Sequence, residues 1–511
     1  MEKTGIKNNP LGCVLNFLKK NWILILILVI GAFFRLYKIG EYMTFLGDEG
    51  RDAIIVRNLL VKADPILIGP GTSVGGMYLG PLYYYFMAPF LFLAGFSPIG
   101  PAIGVALLGV ATIYLVYLAG LDWFNKTSGL IAAGLYAIAP TVITYSRSSW
   151  NPNIMPFFAL LAVYSGWKAW KEKEATWVIL TSISLAFVLQ SHYLGVLLIP
   201  VIFIFICLLL KEVWKNKILK FQTTKFLLFS LALFALLMSP LVIFDFRHGF
   251  LNSKALYKFL TVRQETVSIR PWTAIPKSYP IFEEINTSLI TAKEPAGKIA
   301  TFILTLWSIY MVLKNRKTLK NNSGFYLIIL WITFSLIGFG IYKQHIYDHY
   351  FGFLFPAPIL LTAMFLSILL KSKYKLIGVI CIGALVYFNL INNPLRYSPN
   401  NQMQRSIDVA DKILEITGEN PFNLAVLAER NYEDGYRYFL DINNAEVLHA
   451  DVWDKKTISD TLMVVCEMEK SKCDPTHSAK AEVANFGWSR IEGEWEVDGV
   501  IIYKLGHVKM D

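Results

Sequence analysis

The chain has 511 residues, 55% of them hydrophobic and 14% aromatic, with a mean hydropathy of +0.47. That balance excludes an ordinary soluble domain and implies an integral membrane protein. The formal charge of +11 divides into +19 over residues 1–395 and −8 over residues 396–511, so the two parts differ in character, and the basic residues of the first fall in short clusters between apolar runs, as in cytoplasmic loops rather than on a nucleic-acid surface.

In chain order, Lys3, Lys7, Lys19 and Lys20 precede an apolar core with no small-residue cleavage site, which reads as a retained first span with a cytoplasmic N-terminus. The stretch FLGDEGRDA follows, with Asp48, Glu49, Arg51 and Asp52 close together in a chain otherwise poor in acids. Apolar runs of about spanning length lie near 22–37, 77–97, 99–120, 128–145, 153–170, 175–191, 193–210, 225–245, 298–314, 325–343, 350–370 and 374–391. Cationic clusters at 211–225 (Lys211, Lys215, Lys217, Lys220, Lys225), 314–320 (Lys314, Arg316, Lys317, Lys320) and 371–375 (Lys371, Lys373, Lys375) place those loops in the cytoplasm. Twelve spans cannot satisfy both these loops and the basic N-terminus. The run at 77–97, with Pro81, Pro89 and a tyrosine cluster, is the weakest and reads as an interfacial or half-inserted helix. About 11 transmembrane helices then remain in an all-α polytopic domain, residues 1–395. Loops 38–98 and 246–297 and a soluble α/β domain, residues 396–511, lie on the extracytoplasmic face of the cytoplasmic membrane.

The C-terminal domain is expected to hold a helix at 401–416, a strand FNLAVLA, a helix through YEDGYRYFL, a strand TLMVVCE and late strands around GEWEVDGVIIYKL. Facing an oxidising exterior, Cys466 and Cys473 could pair. Cys207 and Cys381 sit in apolar runs, where small buried thiols are ordinary.

With this topology the unusual polar residues of the membrane part gather on one side: Asp48, Glu49, Arg51, Asp52, Arg147, His192, Asp245, Arg247, His248, His345, Asp348 and His349. Ionisable groups near hydrocarbon are costly and usually face a cavity or a partner, so the set implies an outward-facing polar chamber. His345, Asp348 and His349 have a spacing that a helix would align for a metal, but KQHIYDHY reads better as a solvated turn, and a divalent metal is not assignable. There is no phosphate-binding GxxxxGK[ST] loop, no Gly-rich nucleotide fingerprint after a strand and no Asp-x-Asp, so a soluble nucleotide donor is not indicated.

The order of motifs then becomes informative. A first span, the Asp48-Glu49/Arg51 loop, the aromatic segment Pro81–Tyr85, TYSRSSWNPNIMPFF and DHYFGFLFPAPILL together resemble the C-type membrane glycosyltransferases of the protein O-mannosyltransferase and aminoarabinose transferase kind, over roughly residues 20–390. The resemblance implies inverting transfer of a sugar from a polyprenyl-phosphate donor to an acceptor hydroxyl of a lipid, protein or cell-wall glycan. Asp48 matches the family's catalytic aspartate, the base. Glu49, Arg51, Tyr84, Arg147, His192, Arg247, His349 and Tyr350 are expected to contact substrate, and Asp52 to be a solvated or capping residue of the helix that follows. Tyr78-Leu79-Gly80-Pro81 stands where aminoarabinose transferases carry Glu-Lys-Pro-Pro, so that lysine's phosphate contact does not transfer and Arg147 or Arg247 would replace it. Asn151 and Asn153 also stand where many relatives have an aspartate. The alternatives are a transporter or flippase of lipid-linked glycans, although no duplicated halves are evident, and an inactive relative whose outer domain binds glycan.

Overall fold

A computed structural model describes residues 10–72, 75–214, 217–262, 266–268, 270–315 and 322–508. Lys3, Lys7, Lys215, Arg316, Lys317 and Lys320, which enter the charge argument above, lie outside these residues. The apolar runs fold as helices, which satisfy every interior backbone group within one segment. The first, Pro10–Leu36, is broken at Asn21, so a basic lead joins an apolar stretch. Further on, Lys126–Ile138 and Pro140–Tyr145 form one run interrupted at Ala139, where the residue before proline is held extended.

Among the described residues, five helices are long and apolar enough to cross a membrane: Ile99–Trp123, Tyr193–Val213, Lys220–Arg247, Glu294–Lys314 and Ser323–Ile341. A sixth is reached if Asp348–Leu354 and Pro356–Lys371, bent by 62°, count as one span. Trp177–Ser191 and Lys375–Ile391 are apolar but shorter, so the eleven expected spans are not all matched by helices of spanning length. The demoted run at 77–97 forms the Leu82–Leu93 helix of 12 residues, about 18 Å long against a hydrocarbon core of about 30 Å. Tyr83, Tyr84, Met87 and Leu91 on it are buried.

The loops that the charge count groups together touch one another. Asn252 and Tyr193 bond to the Tyr78 backbone, the Arg147 guanidinium to the carbonyls of Phe34 and Tyr37, and Ser288 to Asp348. At the opposite end, Lys168 pairs with Asp122 and Glu172, and Lys173 with Glu212.

The C-terminal part is a five-stranded sheet of order β2-β1-β3-β5-β4, with β1 Phe422–Leu427, β2 Val447–Leu448, β3 Thr461–Cys466, β4 Ser489–Val497 and β5 Val500–His507. β2, β1 and β3 run parallel, and β5 and β4 antiparallel. Every residue of β1 is buried, because both faces of the central strands are covered. The Gln402–Thr417 and Asp434–Ile442 helices pack Val409, Ile413, Tyr436 and Leu440 on one face, and Val483 and Phe486 of the Ala481–Phe486 helix close the other. Asp498 and Gly499, with φ of 47° and 78°, make the tight turn between β4 and β5. Cys466 and Cys473 form a disulfide.

Candidate active site

Gly47–Lys62 begins directly after Leu46, so Asp48 and Glu49 occupy a first turn, where free N–H groups favour negative charge. The Glu49 carboxylate accepts the Leu46 N–H at 3.0 Å, which turns that side chain into the helix start and leaves Asp48 facing outward. The Arg51 guanidinium, one turn on, donates to Asp48 Oδ1 at 2.8 Å and to Asp52 Oδ1 at 2.7 Å from Nη2 and 3.0 Å from Nε. Asp48 is 42% exposed at its side chain while Asp52 is 0%. The two carboxylates thus share one cation, and only Asp48 is open to a reactant.

Asp52 corrects the reading of a solvated or capping residue. It is fully buried, and its Oδ1 accepts the Tyr84 phenol at 2.9 Å. Burial pushes Asp52 up to about 6 against the pull of Arg51. Burial, with Asp48 and Asp52 adding to it, pushes Glu49 up to about 7. A carboxylic acid whose folded value exceeds its unfolded one contributes stability that is complete below about 4.5 and lost as pH rises through about 7. The thermal midpoint is therefore expected to fall between pH 5 and pH 8. Glu49→Gln should flatten that slope, removing roughly 2–3 kcal/mol of pH dependence; an unchanged slope would assign the effect elsewhere.

Asp48 and Glu49 line a cleft with about 600 Å³ of empty space, together with Thr44, Tyr145, Ser148, Trp150 and, from the C-terminal domain, Arg430 and Tyr432. Behind Trp150 lies an aromatic cluster. The His349 ring stands 4.6 Å from Trp150, 4.6 Å from Tyr350 and 6.2 Å from His192. His192 Nδ1 accepts the Leu194 N–H, so that nitrogen carries no proton and the ring is not a cation. Tyr84 lies under Asp52, outside the cleft lining.

The two arginines expected to replace the missing lysine are placed otherwise. Arg147 is buried and spent on the Phe34 and Tyr37 carbonyls at 2.5 and 2.6 Å, with Tyr42 beneath it at 5.2 Å; it caps the end of the first helix. Arg247 is exposed at the end of its own helix and is not among the cleft residues. His345 is exposed as well, and among the described residues no three His, Cys, Asp or Glu side chains converge as metal ligands would. Sequence reasoning missed Arg430, Tyr432 and Trp150. Trp150 sits in the TYSRSSWNPNIMPFF segment, whereas the other two gave no local signal, since they share a cleft with Asp48 from more than 380 residues away.

A second concavity, of about 1460 Å³ and almost wholly apolar, runs between the first helix, Lys126–Ile138 and Lys375–Ile391, lined by residues such as Ile23, Phe33, Phe34, Ile138 and Val386. Phe34 of this lining accepts from Arg147, three residues on from Thr144 of the cleft.

A helical membrane bundle carrying an acidic cleft beneath a small α/β domain has the fold of the C-type membrane glycosyltransferases. Residues 79–244 match the family model described as dolichyl-phosphate-mannose-protein mannosyltransferase. The chain is similar to ArnT from Cupriavidus metallidurans in the apo state, with a TM-score of 0.59 at 11% identity over 95% of this chain and 98% of that one. It is also similar to the archaeal oligosaccharyltransferase AglB from Archaeoglobus fulgidus, solved in complex with an inhibitory peptide and a dolichol-phosphate, with a TM-score of 0.56 at 13% identity over 88% and 70%. ArnT bound to undecaprenyl phosphate matches with a TM-score of 0.50 at 12% identity, over 95% and 98%. No curated protein matches the sequence.

Proposed function

We propose that the protein transfers a sugar, with inversion, from a polyprenyl-phosphate donor to an acceptor hydroxyl, and that Asp48 is the base. The observation that carries this reading is the Asp48 carboxylate, held at Oδ1 by Arg51 and exposed to a cleft, in a bundle that also holds a large apolar groove. The matched family model and the polyprenyl phosphates bound in the similar structures support the donor class. In the step itself, the acceptor oxygen forms a bond to the anomeric carbon and its proton passes to Asp48. The bond from that carbon to the phosphate oxygen breaks, and the electron pair leaves with the phosphate. The leaving group needs no general acid, only cations. The lipid tail belongs in the apolar groove. Eleven spans, including the shorter apolar helices, with the cleft and C-terminal domain on the extracytoplasmic face, complete the reading.

The cation for the phosphate is assigned to Arg430. It lines the cleft, is exposed and, among the described residues, forms no ion pair or hydrogen bond. Arg430→Ala is expected to lower kcat/KM by about 10–100-fold, chiefly through the KM for donor; an unchanged KM would remove the assignment.

The reading as a whole is tested with purified full-length protein in vesicles containing undecaprenyl or dolichyl phosphate charged with radiolabelled mannose, glucose or aminoarabinose, and an envelope fraction as acceptor. Label is expected to move into acceptor material. Movement of intact donor between leaflets without a new glycosidic bond would replace the transferase by a flippase.

A further inference from the structure

The C-terminal domain meets the membrane part along a seam made passable by glycine. A Cβ on Gly47 would stand 2.6 Å from the Tyr432 ring, and one on Gly50 only 2.3 Å from the Asp434 carbonyl oxygen. Both distances are far inside contact, and the second is against backbone, which cannot step aside as a flexible side chain can. These are the glycines of FLGDEG, so the motif that bears the carboxylates also clears a landing place for the loop before Asp434–Ile442.

That loop is pinned from both sides. Asn431 Oδ1 accepts the Gly47 N–H at 2.8 Å while its Nδ2 donates to Glu467 at 2.5 Å, and Glu467 also accepts the Tyr436 phenol at 2.6 Å. Around it, the Tyr438 phenol donates to the Phe96 carbonyl, the Asn401 N–H to the Glu41 carbonyl, and Phe45 packs against Tyr438 and Phe439. The outcome is that Tyr432 donates its O–H to Asp48 Oδ1 at 2.5 Å. Arg51 Nη1, already on that oxygen, also reaches the phenol oxygen at 3.2 Å.

We propose that Tyr432 is a positioning residue for Asp48, which makes the C-terminal domain a working part of the active site. The proposal rests on the reading of Asp48 as the base. A carboxylate turns easily about its Cβ–Cγ bond. Two donors on Oδ1, one from its own helix and one from the other domain, fix that rotation and leave Oδ2, which makes no hydrogen bond among the described residues, for the acceptor hydroxyl. Alignment of this kind acts on the chemical step rather than on substrate binding.

The test uses full-length protein in the vesicle assay above. Tyr432→Phe removes one oxygen and is expected to lower kcat about 10–100-fold, with the KM for donor changed less than about twofold and the thermal midpoint within about 2 °C. In the Asp48→Asn background the same change should cost nothing further, because the group it aligns is gone. Gly50→Ala, which forces the Asp434 backbone away, should reproduce the kcat loss with Tyr432 intact. A Tyr432→Phe enzyme as fast as wild type, or a loss carried equally into the Asp48→Asn background, would overturn the proposal while leaving the transferase reading standing. A wild type that transfers none of the donor sugars, or an Asp48→Asn variant with full activity, would overturn the base reading itself.

Discussion

Asp48→Asn is expected to reduce sugar transfer by about 10²–10⁴-fold, the range ordinarily contributed by a positioned general base, while donor binding stays close to wild type. Asparagine keeps the size and one acceptor oxygen, so the hydrogen bonds from Arg51 and Tyr432 to Oδ1 survive, whereas the amide cannot take the acceptor proton. The measurement is kcat and donor KM in vesicles. Loss confined to kcat assigns proton abstraction to Asp48. A loss confined to KM would make it a binding residue, and full activity would end the base assignment.

Arg51→Met is expected to have the largest effect on stability. Methionine retains much of the length but leaves Asp52, which is fully buried, without its cation; removing one partner of such a pair typically costs about 3–5 kcal/mol. The sign with pH follows from Asp52, which burial already pushes up to about 6. Without Arg51 the acid takes up a proton more readily, so the destabilisation should be smaller at pH 5 than at pH 8. Thermal unfolding of the purified variant at both pH values measures this, and adding Asp52→Asn should recover most of the loss at pH 8. An Arg51→Met protein as stable as wild type would show that Tyr84 alone satisfies Asp52. Transfer should also fall, since Asp48 loses one of its two donors.

The helices and the acidic cluster were legible because both are local. An apolar run has to hydrogen-bond within itself, and three carboxylates with an arginine in nine residues stand out in a greasy chain. The C-terminal strands FNLAVL and TLMVVC were legible for the same reason, whereas the sequence leaves the pairing of Cys466 with Cys473 open, because spacing alone does not set the geometry a disulfide needs. Arg147 was misjudged because an arginine just beyond a helix suits either an anion or the free carbonyls of a neighbouring helix end, and only the fold shows Phe34 and Tyr37 within reach. Asp52 was misjudged because helical position gives a face without telling what covers it, here Arg51 and Tyr84. Tyr432 was absorbed into a helix through YEDGYRYFL; the helix begins at Asp434, and Asn431 and Tyr432 in the loop before it are the residues the seam uses.

That seam spans 384 residues of chain between Asp48 and Tyr432. A ribosome adding roughly 5–20 residues per second exposes the carboxylate some tens of seconds before the phenol that steadies it. Throughout that interval the nascent protein sits among membrane lipids with an unfinished centre. On the proposed roles of Asp48 and Tyr432, the order of synthesis acts as a timer: the carboxylate gains its second donor only once the C-terminal domain has folded and docked.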